Sequence, residues 1–194
     1  MKNLFLLAII LLTLCGSMNA SADLVTYSLN LTGPNEAPPN TSPGIGSGTV
    51  VFDLDLSTMK IDVSFSGLQG NTTVAHIHCC TSVAGAGTAG VASTLPSFPN
   101  FPVGVTAGTY SNTFDLTLAS SYSAAFITNN GGTISGALNA LLAGTANGKA
   151  YFNLHSTLFQ AGEIPGFLQP VPVPGAVWLF GSALASFLGL RRKK

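Results

Sequence analysis

Six consecutive residues, AHIHCC at 75–80, hold two of the chain's three histidines and two of its three cysteines. The third histidine, His155, lies in YFNLHS. Side chains along a strand alternate between faces. His76 and His78 therefore share one face, and Ala75 and Ile77 the other. In YFNLHS the same rule groups Tyr151, Asn153 and His155 against Phe152 and Leu154. The apolar pairs belong in a core, so the imidazoles leave it on the opposite side, toward solvent or under the long segment that starts at Cys79. If the two strands are neighbours, facing Cβ atoms lie about 4.5–5.5 Å apart. Three rings can then converge on one metal with bonds of about 2.0–2.1 Å. Imidazole donors suit copper or zinc, and also iron or nickel. A structural reading competes with this one: the same rings hydrogen-bond loop carbonyls and hold the loop down.

Cys79 and Cys80 add three open alternatives. As thiolates they are further ligands for a soft metal such as Cu(I) or zinc. As a pair they form a vicinal disulfide, although adjacent Cα atoms across a trans peptide are only about 3.8 Å apart, short of the usual disulfide range. Otherwise they are free or intermolecular thiols. Glu36 in GPNEAPP and Glu163 in GEIPG sit in Gly/Pro turns, where a carboxylate commonly accepts backbone N–H bonds. Either can instead orient a metal-bound imidazole through its second nitrogen.

No nucleophile elbow, phosphate loop or glycosidase-type carboxylate pair is present. A binding or matrix module is therefore expected rather than an enzyme, with copper redox chemistry as a third reading. His-x-His with a distant third histidine is also the donor set of the copper site in Cu/Zn superoxide dismutases. Here no further histidine exists to bridge to zinc or complete a four-histidine site, so dismutase activity is not expected.

The elements that must position these residues read as β structure. In GTVVFDLDLS, Val50, Phe52, Leu54 and Leu56 fall on one face, and in MKIDVSFSG so do Met59, Ile61, Val63 and Phe65. Ser57-Thr58 between them predicts a hairpin. TYSLNLTG, TVAHIH, YSNTFDLTL, KAYFNLHS and EIPGFLQ supply further strands. The expected fold is mostly β, a single Greek-key or immunoglobulin-like sandwich or barrel. One short helix interrupts it: Ser135 caps GALNALLA, Gly144 ends it, and Leu138, Leu141 and Leu142 face the sheet. Asn147-Gly148 then turns the chain into the strand bearing His155. From Cys79 to about Thr109 the chain is rich in Gly, Ala, Ser, Thr and Pro. Phe98 and Phe101 are its only large anchors, and so long a loop is commonly a lid, a binding loop or disordered.

Only 7% of the 194 residues are charged. Five of the seven basic residues lie at the termini. Seven carboxylates against Lys60 and Lys149 leave the body about five charges negative, which argues against nucleic acid as a partner. MKN followed by LFLLAIILLTL and Ala20-Ser21-Ala22 reads as a signal peptide over residues 1–22 cleaved after Ala22, with lipidation at Cys15 as the rival. At the other end GAVWLFGSALASFLGL, about 16 uncharged residues near the lower limit for a membrane span, precedes RRKK. A membrane helix at about 175–190 is expected, with its basic tail cytoplasmic.

The string VPVPGAVWLFGSALASFLGLRRKK resembles the PEP-CTERM type of bacterial sorting tail in its VPxP variant. Val171, Pro172, Val173, Pro174 and Trp178 carry the signature, and Val173 stands where the commonest form has Glu. The resemblance implies an exosortase-type processing protease as partner, and a bacterium that makes exopolysaccharide. It places the protein in the cell envelope or outside the cell, tethered to the membrane before processing.

Between the ends, LTGPNEAPPNTSPGIGSGTVVFDLD resembles the opening of the CHRD domain. AHIH, ALLAGTANGKAYFNLHS and GEIPGFL follow in the family's order. The resemblance spans residues 23–169 and implies an extracellular β-rich module. It bears on fold more than on function, which must be argued from the site.

Overall fold

In the computed structural model, residues 22–172 are described. Eight strands form two antiparallel sheets: β1 (Leu24–Thr32), β2 (Ile45–Asp53), β3 (Thr58–Ser66), β4 (Thr72–His78), β5 (Gly108–Asp115), β6 (Tyr151–Ser156), β7 (Ile164–Phe167) and β8 (Gln169–Pro170). The larger sheet runs β5-β3-β2-β1-β8 and the smaller β4-β6-β7. This is the expected β-sandwich.

Alternation drives the packing. Val50, Phe52, Met59, Ile61, Val63 and Phe65 from the large sheet are buried, as are Ala75, Ile77, Phe152 and Leu154 from the small one. Their inner faces make one apolar core. The alternation of β2 fails at its end: Leu54 and Leu56 are exposed, Leu56 to 69%. The hairpin turn is Leu54–Ser57, longer than Ser57-Thr58, because Asp53 pairs directly with Thr58. The Asp53 carboxylate accepts bonds from the amides of Asp55 (3.1 Å) and Leu56 (2.9 Å). That local alternative to the ladder ends the strand at Asp53, three residues before Leu56.

Among the described residues the expected helix is present, and a six-residue helix stands before it. Helix α1 (Ala124–Asn129) precedes α2 (Ile134–Ala146). The cap of α2 is Thr133, whose hydroxyl accepts from the Gly136 amide at 3.0 Å, and not Ser135. Gly144 lies inside α2 and does not end it. A Cβ at Gly144 would collide with the sulfurs of both Cys79 and Cys80, so the glycine lets the helix approach the end of β4. Leu141 is buried, and Leu138 and Leu142 pack against the core more peripherally. Gly148 (φ +66°) makes the turn into β6.

The segment after Cys79 is packed against the sandwich. Strand β4 is an edge strand, and an open edge carries unpaired backbone groups. Residues 90–105 satisfy it. The Ser93 hydroxyl accepts from the Ile77 amide (2.9 Å) and the Ser97 hydroxyl from the Ala75 amide (3.0 Å). The amides of Ala92 and Phe98 donate to the carbonyls of Ile77 and Ala75. Phe98 and Phe101 are buried, as expected of its anchors, and stack on Phe152 and Phe65 respectively.

Candidate metal centre

Strands β4 and β6 pair with Val74 opposite His155, His76 opposite Asn153, and His78 opposite Tyr151. All three histidines therefore stand on one face, away from Ala75, Ile77, Phe152 and Leu154. They are covered rather than open to solvent, at 5%, 8% and 9% exposure. Ring centroids are 5.8 Å apart for His76–His78, 5.5 Å for His76–His155 and 5.8 Å for His78–His155.

Each ring has one nitrogen against a backbone carbonyl. His76 Nε2 lies 2.6 Å from Pro96 O, His78 Nδ1 2.9 Å from Ala89 O, and His155 Nδ1 2.9 Å from Gln160 O. A carbonyl can only accept, so each of these nitrogens carries the ring's proton in the neutral form. The other nitrogens, His76 Nδ1, His78 Nε2 and His155 Nε2, are then bare lone pairs. All three are buried without a hydrogen-bond partner. One nitrogen from each ring lies within 4.8 Å of the other two.

The cover and the rings are built by the same contacts. The strip of chain that pairs with β4 carries the Pro96 and Ala89 carbonyls. Ala89 also donates its amide to the Tyr151 hydroxyl at 3.2 Å, and the Tyr151 ring stacks on His78 with centroids 4.9 Å apart. His78 is thus fixed in plane and tautomer from two sides. Burial holds its pKa down to about 4, with further lowering from His155 and His76 against the raising effect of Ala89 O. Burial also lowers His76, and His155 adds to that. Neutral imidazole is the form that binds metal.

The geometry lies within a small ring movement of a metal site. Bonds of about 2.0–2.1 Å in a tetrahedral site need N···N separations of about 3.3–3.4 Å. Reaching that from 4.8 Å asks each ring to move inward by less than about 1 Å. Among the described residues His76, His78 and His155 form a group positioned to hold a metal ion.

The expected supporting residues fall elsewhere. The nitrogens remote from the centre are held by carbonyls, not by Glu36 or Glu163. Glu163 is fully buried and accepts from the Ser42 hydroxyl (2.6 Å) and the amides of Gln69 (2.6 Å) and Gly70 (3.3 Å). It clasps the β1–β2 and β3–β4 connections to the start of β7. Glu36 accepts from its neighbour's amide, Ala37 N (3.0 Å), and from Asn153 Nδ2 (3.1 Å). It reaches the histidine face only through Asn153. Cys79 and Cys80 are joined to each other as a vicinal disulfide. Of the three open states this is the one present, and it leaves no thiolate to bind a metal. Alternation groups Asn153 with His155 on the histidine face, and it is buried there. Its signal was its place, opposite a histidine on the same face.

Matched against protein families, residues 27–168 fit the model of the CHRD domain. The chain belongs to the CHRD domain family. The match takes in both histidine strands, the segment that covers them and both glutamate turns, so the candidate centre lies wholly inside the CHRD domain. No curated protein and no solved structure matches the chain.

Ala22, the expected cleavage residue, is exposed next to β1 and accepts from the Leu24 amide at 3.0 Å. Val171 and Pro172 follow β8 on the surface. The rest of the signal peptide and the sorting tail, with Val173, Pro174 and Trp178, lie outside the described residues. Within those residues no helix is long and apolar enough to cross a membrane.

Proposed function

We propose that this protein is an exported CHRD-domain binding module of the bacterial cell envelope that holds one transition-metal ion, copper or zinc, at His76, His78 and His155. One observation carries the metal. Three buried imidazoles each have one nitrogen on a carbonyl and the other without a partner, and one nitrogen of each ring lies within 4.8 Å of the other two. A buried polar atom left unsatisfied costs about 1–3 kcal/mol. A cation satisfies all three at once. Rings serving only to hold the loop would need just the carbonyl contacts, and nothing would require their other nitrogens to converge.

Three protein ligands leave a coordination position open, as in sites that bind a further small molecule. Capture or presentation of the metal at the cell surface is the role this supports. The acidic body, the leader-like N-terminus and the sorting-type tail support export, processing by an exosortase-type protease, and residence among exopolysaccharide. A matrix protein with no metal is the competing role.

Titration of chelator-treated protein with Zn(II) and Cu(II) by calorimetry separates the two. The expected result is one site per chain, abolished in His76→Ala and His155→Ala. Heat no larger in the wild type than in those variants refutes the metal. For the tail, deletion of Arg191–Lys194 is expected to alter the mature mass or the release of the protein. An unchanged mass and unchanged release refute processing.

A further inference from the structure

Asn153 stands directly opposite His76, between Tyr151 and His155 on the histidine face of β6. It is 1% exposed. Its Nδ2 donates to Glu36 Oε2 at 3.1 Å and to Ala161 O at 3.3 Å. Both partners are acceptors, so the amide is oriented by chemistry, with its nitrogen toward them. Its oxygen is then the free atom, and Oδ1 is buried with no partner. The fit around the amide is tight: a Cβ on Gly162 would collide with Glu36 Oε2 and with both Nδ2 and Oδ1 of Asn153.

The histidine face therefore carries four buried acceptors, three ring nitrogens and Asn153 Oδ1, and none of them has a donor. A metal satisfies the nitrogens. It does not satisfy the amide oxygen on the same strand face unless the remaining ligand brings a proton.

We propose that Asn153 selects the ligand at the open coordination position: its Oδ1 accepts a hydrogen bond from a coordinated water, and Glu36 positions the amide for this. The centre then favours small ligands that carry a proton and disfavours proton-free anions, which would face the Oδ1 lone pairs. This rests on the three-histidine reading and deepens it.

The test uses the full chain in detergent, loaded with Cu(II), with azide as the anionic probe read by its charge-transfer absorption. Asn153→Ala is expected to keep one metal per chain and to bind azide about tenfold more tightly, the scale of one hydrogen bond's contribution. Glu36→Gln, which keeps an acceptor but loses the charge, should fall between. Equal azide affinity in wild type and Asn153→Ala at equal metal content overturns the proposal and leaves the three-histidine site standing. Failure of the wild type to take up copper overturns both. A second measurement needs no variant: pulsed EPR of the wild type in D2O should show one exchangeable coordinated water. Its absence would mean that Oδ1 or another protein atom fills the position, and would equally overturn the proposal.

Discussion

Acidifying the metal-free protein should destabilise it, with most of the loss traceable to His78. Its pKa is about 4 in the fold against 6.5 as an ordinary imidazole. Below pH 6.5 the unfolded chain takes up a proton that folded His78 refuses. Stability is therefore full above pH 6.5 and is lost as pH falls toward 4. Between pH 7 and pH 4.5 the linkage relation gives a loss of about 2.5 kcal/mol from this ring alone. His76 shifts in the same direction and adds to the loss. Against a typical stability of about 5–15 kcal/mol, this is a large fraction. In a domain of this size it corresponds to a drop of about 5–10 °C in melting temperature. Urea unfolding with excess chelator, followed by far-UV circular dichroism at several pH values, measures it. His78→Gln loses the stacking on Tyr151 and starts less stable, so its pH slope is the quantity to compare, and that slope should be shallower. The same slope in His78→Gln, or no loss in the wild type down to pH 4.5, would refute the argument that these rings are buried neutral.

Three substitutions test the scaffold around the centre by chemical denaturation. Gly144→Ala would stabilise an ordinary helix interior by up to about 1 kcal/mol; here the new Cβ meets the Cys79–Cys80 sulfurs, and a loss of about 1–3 kcal/mol is expected. Glu163→Gln removes the charged acceptor that gathers Ser42, Gln69 and Gly70, and should cost about 2–3 kcal/mol while metal stoichiometry, read by elemental analysis, stays at the wild-type value. Ser97→Ala leaves the Ala75 amide without its partner on the strip that brings Pro96 to His76. It should cost about 1–2 kcal/mol and speed hydrogen exchange at the β4 edge.

Period-two alternation made the sandwich readable: β2 and β3 bury one face only, and in β4 and β6 apolar residues alternate with polar ones although both faces are covered. It also put His76, His78 and His155 on a common face. What brought them within 4.8 Å was the β4–β6 register, a long-range pairing that no local pattern encodes. Leu54 and Leu56 misled because an Asp53 side-chain turn overrode the alternation. Gly144 misled because a glycine needed for close approach looks, in sequence, like a helix stop. Whether the imidazoles face solvent or lie under the segment after Cys79 is undecided by sequence for a related reason. Small residues such as Ser93 and Ser97 carry no hydrophobic signal, and their hydroxyls act only once β4 presents an open edge. Glu36 and Glu163 accept backbone N–H bonds, the commoner of their two readings, and loop carbonyls hold the imidazoles instead.

X-ray absorption at the metal edge of zinc- or copper-loaded protein tests the central claim most directly, because it counts the ligands. Three imidazoles at about 2.0–2.1 Å with one further light atom are expected. A sulfur shell at about 2.3 Å, or a first shell without imidazole scattering, would contradict the account.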